Sequence, residues 1–330
     1  MAALAPPVAA IRVAVRRALT HLPSGGPVLV ACSGGADSLA LAAATVFVAP
    51  RLGLPAGLVT VDHGLQDGSA RRAEAVAAWA REAGFAPVVA VRVDVAGRPG
   101  GPEAAARQAR YEALAEAARQ HGAVAVLTGH TRDDQAETVL LALARGAGPR
   151  GLAGMPDRRE LAGVPLLRPL LEIGREQTRV ACAVLGLRPW QDPHNTDPSY
   201  ARSRVRADVL PALVRALGPG VVANLARTAR LVAADNTALD EIAAMALVTS
   251  RHPAGGLAVA ELAGLTAAVR GRVLHAWALE LGAVGGALSH RHVGALDALV
   301  TDWHGQGPTD LPGGIRVLRR GDRLAVLTSG

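Results

Sequence analysis

Four times in the first 144 residues, a short aliphatic run is followed by a longer alanine-rich stretch of helical character. The runs are Pro27–Cys32, Ala56–Val61, Pro87–Val93 and Ala123–Thr128. The helical stretches are about Asp37–Val48, Arg71–Ala83, Pro102–Gln120 and Asp133–Ala144. Strict alternation of this kind predicts an α/β fold, a parallel sheet with helices on both faces. Ligands of such sheets sit beyond the carboxyl ends of the strands, so the residues just after each run carry the most weight. With 50% hydrophobic residues the chain can bury a sizeable core, and with only 2% aromatic ones that core must be aliphatic.

From Arg145 to about Asp197 the pattern loosens into Gly- and Pro-rich turns. After Tyr200, helices are expected over Arg202–Ala216, Asn224–Val248, Leu262–Leu281 and His290–Val300, then short strands near Ile315–Leu318 and Leu324–Thr328. Gly218-Pro219-Gly220 would stop a helix. The expected division is therefore an α/β domain over 1–217 and a smaller, mainly helical domain over 218–330.

The chain contains no lysine, so all 35 basic side chains are arginine. That excludes lysine Schiff-base chemistry and the phosphate loop ending in Gly-Lys-Ser/Thr. A net charge of +7 points to a polyanionic partner. Two cysteines, Cys32 and Cys182, exclude a disulfide framework and a four-cysteine zinc site. The N-terminal apolar stretch precedes Arg12, Arg16 and Arg17, the reverse of a secretory signal. The apolar run from Leu39 stops at Arg51, short of the roughly 20 residues needed to span a bilayer. A soluble, cytoplasmic protein without a membrane partner is expected.

Two segments at strand ends carry chemistry. Ser33-Gly34-Gly35-Ala36-Asp37-Ser38 joins the first strand to its helix. Glycines let backbone N–H groups close on an anion, and the helix N-terminus adds its positive dipole end. Ser33 and Ser38 supply hydroxyls, and Asp37 could hold magnesium between phosphates. The plainer alternative is a glycine turn with Asp37 as a cap. The second segment, Thr128 to Thr138, opens the fourth helix with Asp133, Asp134 and Glu137, of which Asp133 and Glu137 share a face. Such carboxylates can complement the helix dipole, or form a cluster that coordinates magnesium or binds an amine. His130 reads as a metal ligand or as a hydrogen-bonded structural group.

The first segment matches the SGGxDS signature of the PP-loop, or N-type, ATP pyrophosphatases. That resemblance implies cleavage of ATP between its α- and β-phosphates, with a loop that needs no lysine. Gly129 to Met155 resembles the tRNA(Ile)-lysidine synthetases within that family. So do Val61-Asp62-His63-Gly64-Leu65, the ExxxRxxRY pattern of Glu103, Arg107, Arg110 and Tyr111, and Arg168-Pro169-Leu170-Leu171. Trp190 to Pro211 matches as well, except at Ser203, where asparagine is expected.

The resemblance implies ligation of free L-lysine to C2 of the wobble cytidine in the CAU anticodon of tRNA(Ile), through an adenylated base, with ATP and Mg2+. The catalytic residues would be Asp37, Asp133, Asp134 and Glu137. ATP would meet Ser33, Gly34, Gly35, Ala36, Asp37, Ser38, Asp62, His63, Arg107, Gly129 and His130, with Mg2+ at Asp37. The tRNA would meet Arg145, Arg202, Arg204 and Arg206, in a segment, Arg145 to Arg206, with 11 Arg against 6 Asp and Glu. Monomer and homodimer both stay open. Three rivals remain: a tRNA thiolation enzyme, a small-molecule synthetase of the same fold, and a non-catalytic RNA-binding protein with a vestigial ATP site.

Overall fold

The four aliphatic runs become strands in a computed structural model that describes residues 4–64, 68–95, 101–191 and 197–327, apart from the side chains of 102 and 103. They are β1 (Val28–Ala31), β2 (Ala56–Asp62), β3 (Val88–Arg92) and β4 (Ala125–Thr128). The helices after them are α2 (Ala36–Val48), α3 (Ser69–Glu82), α4 (Gly101–Gln120) and α5 (Arg132–Ala144), and a further helix, α1 (Pro6–Leu19), precedes β1. All four strands are parallel neighbours in the order β3-β2-β1-β4.

The segment expected as turns is more ordered than that. After a single helical turn, α6 (Pro149–Leu152), it forms a hairpin of β5 (Arg158–Leu161) and β6 (Val164–Leu167), then α7 (Arg175–Val184). β6 pairs parallel with β4, and β5 closes the sheet antiparallel to it. An edge strand is paired on one side only, so β5 can carry Arg158, Arg159 and Glu160, which disguised it in the sequence.

Alternation along β1 builds a core on each face. Val28 and Val30 pack with Ile11, Val15, Leu41 and Ala181 from α1, α2 and α7. Leu29 faces Leu114, Ala117 and Ala118 of α4, with Val126 and Leu166. Leu29, Leu41, Leu114 and Leu166 have no exposed surface, and each such side chain contributes about 1.5–3 kcal/mol by leaving water. In register, Ala31 lies level with Val59 and Thr128. The segments leaving β1 and β4 therefore start from the same edge of the sheet.

The chain divides into two compact units, 1–233 and 234–330. After α8 (Ala201–Arg204), a π-helical turn (Val205–Val209) and α9 (Leu210–Leu217) comes α10 (Val221–Thr249), and the division falls inside α10. Gly218 to Gly220 ends α9. The second unit contains α11 (Val259–Gly264), α12 (Ala267–Glu280) and α13 (His290–Thr301) around Trp277. The expected helix over Leu262–Leu281 is thus broken, because Leu265 and Thr266 are extended. A four-stranded antiparallel sheet completes this unit: β7 (Leu257–Ala258), β8 (Thr309–Leu311), β9 (Ile315–Arg320) and β10 (Arg323–Val326). Among the described residues, no single helix is long and apolar enough to cross a membrane.

Candidate active site

Beyond β1 the chain turns at Gly34, whose φ of +84° suits glycine. A Cβ there would also stand 3.0 Å from Val76 Cγ2. Gly35 caps α2 in an extended conformation, and no side chain caps the helix. The first N–H groups of α2 consequently face the sheet edge without an intrahelical acceptor. Ser38 Oγ donates to Gly35 O (3.0 Å), accepts from Ser33 N (3.2 Å) and lies 3.3 Å from Ser33 Oγ. Trp190 N donates to Gly34 O at 2.9 Å and ties the turn from outside. These bonds fix the shape of the turn.

The segment after β4 reaches this turn because Gly129 has no side chain. A Cβ on it would stand 3.0 Å from the carbonyl carbon and oxygen of Asp37 and 3.1 Å from Ser38 N. Thr131 then caps α5: its N and Oγ1 both donate to Asp134 Oδ2 at 2.8 Å. His130 Nδ1 lies 3.0 Å from Thr128 Oγ1. Burial pushes the His130 pKa down to about 3, against the pull of Asp134, so the ring is neutral.

Four carboxylates and three guanidiniums gather beside the turn. Arg175, at the start of α7, bonds Asp134 Oδ1 (2.8 Å) and Glu137 Oε1 (3.1 Å) through Nη2, and its Nε is 3.8 Å from Asp37 Oδ2. Its backbone N donates to Asp133 Oδ2 at 2.8 Å. Arg206 reaches fully buried Glu137 at 2.8 and 3.1 Å and Asp134 at 3.3 Å. Arg202 Nε stands 3.8 Å from Glu137 Oε2. Thr178 Oγ1 donates to Asp37 Oδ1.

The environments separate these acids. Burial pushes Asp37 up, and nearby Asp134 adds to this, against Thr178, Arg175 and Arg206. Burial would also raise Asp134, but Arg175 and the Thr131 hydrogen bonds together hold it below the usual carboxylate range. Among the described residues no group of three His, Cys, Asp or Glu side chains could hold a metal ion by itself. Asp37 is the one carboxylate of the turn from Ser33 to Ser38, so a cation held there would take its other ligands from phosphates and water.

The structure thus gathers Ser33 to Ser38, Gly129, His130, Asp133, Asp134 and Glu137. Asp62 ends β2, one strand over from β1, with Oδ1 accepting from Gly64 N at 2.9 Å and His63 following it. Arg107 lies on α4, 5.1 Å from the Tyr111 ring centre. The four arginines expected on tRNA divide. Arg202 and Arg206, four residues apart, turn inward onto Glu137, whereas Arg204 bonds Pro198 O and Ser199 O, and Arg145 bonds Leu141 O. Pro211 explains the wide turn that carries Arg206: it has no N–H to give the carbonyl four residues back. Leu65, the side chain of Glu103 and the 192–196 part of the Trp190–Pro211 segment lie outside the described residues.

Sequence reasoning missed Arg175, Thr178 and the Trp190 tether. The one local signal was Gly174 with Gln177, where the Gly174 N–H donates to Gln177 Oε1 at 2.9 Å and marks a helix start.

Comparison with known proteins agrees with this geometry. A family model described as a PP-loop domain matches residues 11–213, and one described as the TilS substrate binding domain matches 257–325. The tRNA(Ile)-lysidine synthase of Salinispora arenicola is 77% identical over 327 residues, covering 99% of this chain and 98% of that protein. That of Thermobifida fusca is 57% identical, covering 97% and 98%. Among solved structures, the U34-tRNA thiolase NcsA from Methanococcus maripaludis, with its [4Fe-4S] cluster, aligns at a TM-score of 0.56 and 18% identity. The alignment covers 68% of this chain and 80% of that one, a likeness of fold.

Proposed function

The chain belongs to the tRNA(Ile)-lysidine synthase family, and on that premise we propose that it joins free L-lysine to C2 of the wobble cytidine of a CAU-anticodon tRNA(Ile) in the cytoplasm. One observation carries the reading: an anion-cradling turn and a carboxylate cluster in direct contact through Gly129. Each half of the reaction has a partner there.

In the first half, the cytosine O2 attacks the α-phosphorus of ATP and the bond to pyrophosphate breaks. The N–H groups at the start of α2 and the hydroxyl of Ser33 bind the departing diphosphate, and Ser38 Oγ, bonded to Ser33 N and Gly35 O, braces the turn. They are already held in place by the bonds within the turn, so little reorganisation is needed as charge builds. Mg2+, when bound by Asp37 and phosphate oxygens, supplies further neutralisation of that charge.

In the second half, the ε-amine of lysine attacks C2, and the C2–O bond breaks to release AMP. The free ammonium has a pKa near 10.4 and must lose a proton first. Asp133 and Asp134 open the helix beside the turn and offer carboxylates to that amine. Asp134, kept ionised, suits binding the ammonium. Among the described residues Asp133 meets the Arg175 backbone but no guanidinium at ion-pair distance, so it is assigned as the proton acceptor.

Thiolation receives no such support. It calls for a reactive thiol, and burial pushes Cys182 up to about 11 and raises Cys32 as well. The direct test is incorporation of labelled lysine into a CAU-anticodon tRNA(Ile) transcript, with Asp133, Asp134 and Glu137 each replaced by alanine. Loss of incorporation in the variants is expected. Full incorporation in all three would overturn the assignment.

A further inference from the structure

Because β6 runs parallel to β4, Arg168 leaves the sheet at the edge that carries His130. Around it lies a second charged cluster, made of arginines. Arg159 and Arg107 stand 4.2 and 5.1 Å from the Tyr111 ring centre. Arg168 is only 4% exposed. Its Nη1 donates to Pro156 O at 2.6 Å, while its Nε and that of Arg159 are buried without a hydrogen-bond partner. Among the described residues no carboxylate pairs with Arg107, Arg159 or Arg168. Burial would raise the Tyr111 phenol, but Arg107, Arg110, Arg159 and Arg168 hold it below its ordinary value.

Arg168 is buried, Arg159 half-buried and Arg107 exposed, and guanidiniums taken from water without a counter-charge, as at Arg168, are unfavourable unless an anion completes them. Their planar forks match phosphate oxygens in pairs. Building on the proposed ligation to tRNA, we infer that Arg159 and Arg168, framed by Tyr111 and Arg107, bind an RNA phosphodiester beside the nucleotide being modified. The triphosphate has its own cradle at the end of β1. Arg159 lies on β5 and Arg168 follows β6, beyond β4 in the sheet from β1. Guanidiniums cover the Tyr111 ring, so the site suits a backbone phosphate better than a stacked base.

The test uses the full-length protein, the tRNA transcript without ATP, and the variants Arg159→Gln and Arg168→Gln. Binding is followed from about 0.05 to 0.3 M salt, and the KM values for ATP and lysine are measured alongside. Each variant is expected to weaken tRNA binding about 10-fold and to lower the slope of log affinity against log salt by about 1. KM values for ATP and lysine are expected to stay within about 2-fold. Half-buried Arg159 carries the test if Arg168→Gln does not fold. Unchanged affinity and slope in Arg159→Gln would overturn the inference, as would a raised KM for ATP with unchanged tRNA binding, which would assign the cluster to the triphosphate. If the wild type bound tRNA but incorporated no lysine, the proposed function would fail, while the variants would still report on the phosphate site.

Discussion

Replacing Gly129 with alanine tests whether the two halves of the site depend on each other. The added methyl would stand 3.0 Å from the Asp37 carbonyl and 3.1 Å from Ser38 N, whereas ordinary contact begins at 3.4 Å. Backbone on both sides must therefore yield by about 0.4 Å, and the yielding atoms belong to the first turn of α2. Overpacking of this kind costs about 1–3 kcal/mol. In a unit of 233 residues, at about 2–4 °C per kcal/mol, that lowers Tm by roughly 2–12 °C. The catalytic effect is separate from the stability loss and of similar size. A misplacement of about 1 Å costs on the order of 100-fold, so a shift of about 0.4 Å at Asp37 should lower kcat roughly 10-fold. Thermal denaturation and single-turnover formation of AMP measure the two effects separately. Gly264→Ala, with no neighbouring atom within 4 Å of the new methyl, serves as the stability control and should leave Tm unchanged or slightly raised. A Gly129→Ala protein with normal Tm and kcat would refute the close packing of the two segments.

Three further outcomes follow from the charges. Asp37→Asn should abolish turnover yet stabilise the protein in denaturant titrations. A carboxyl raised by burial makes the folded state bind protons that the unfolded chain has lost, so wild-type stability falls as pH rises from about 4 through the raised pKa. Equal denaturation midpoints for the Asp37→Asn variant and the wild-type protein near pH 7 would contradict this. Glu137→Gln removes the one fully buried charge of a partly exposed cluster, at a cost of about 3 kcal/mol. That should lower Tm by roughly 6–12 °C and raise the KM for lysine, and a change confined to the KM for ATP would argue against the cluster as the amine site. His130 has a folded pKa of about 3, below the unfolded value near 6.5. Its contribution to stability is full above pH 6.5 and is lost as pH falls, so His130→Gln should flatten the loss between pH 6.5 and 5. An NMR titration of the His130 ring with a midpoint near 6.5 would contradict a buried neutral imidazole.

The parts of the molecule that could be read from the sequence are those whose physics is local. A strand buried on both faces is a bare run such as PVLVAC, and a glycine-serine turn between it and a helix announces its backbone geometry. α1 was also legible, with Pro6 at its start and Val8, Ile11, Val15 and Leu19 at helical spacing, but only its charge order was read. The acidic residues of α5 were found because they are adjacent. Arg175 was not, because an arginine some forty residues away has no pattern of its own until α7 packs beside α2. Arg202 and Arg206 show the limit from the other side. Their place in an arginine-rich segment suggested contact with tRNA, but the helix places residues four apart on one face, and Glu137 lies opposite it.

The central claim is that the turn from Ser33 to Ser38 holds the diphosphate while a nucleobase takes up AMP. It is tested most directly by the nucleotide products formed with the tRNA(Ile) transcript, lysine, Mg2+ and ATP labelled in its α- and γ-phosphates. AMP and pyrophosphate should appear in equal amounts, one of each per lysine incorporated, and both should vanish with Asp37→Ala. Accumulation of ADP and orthophosphate would contradict it.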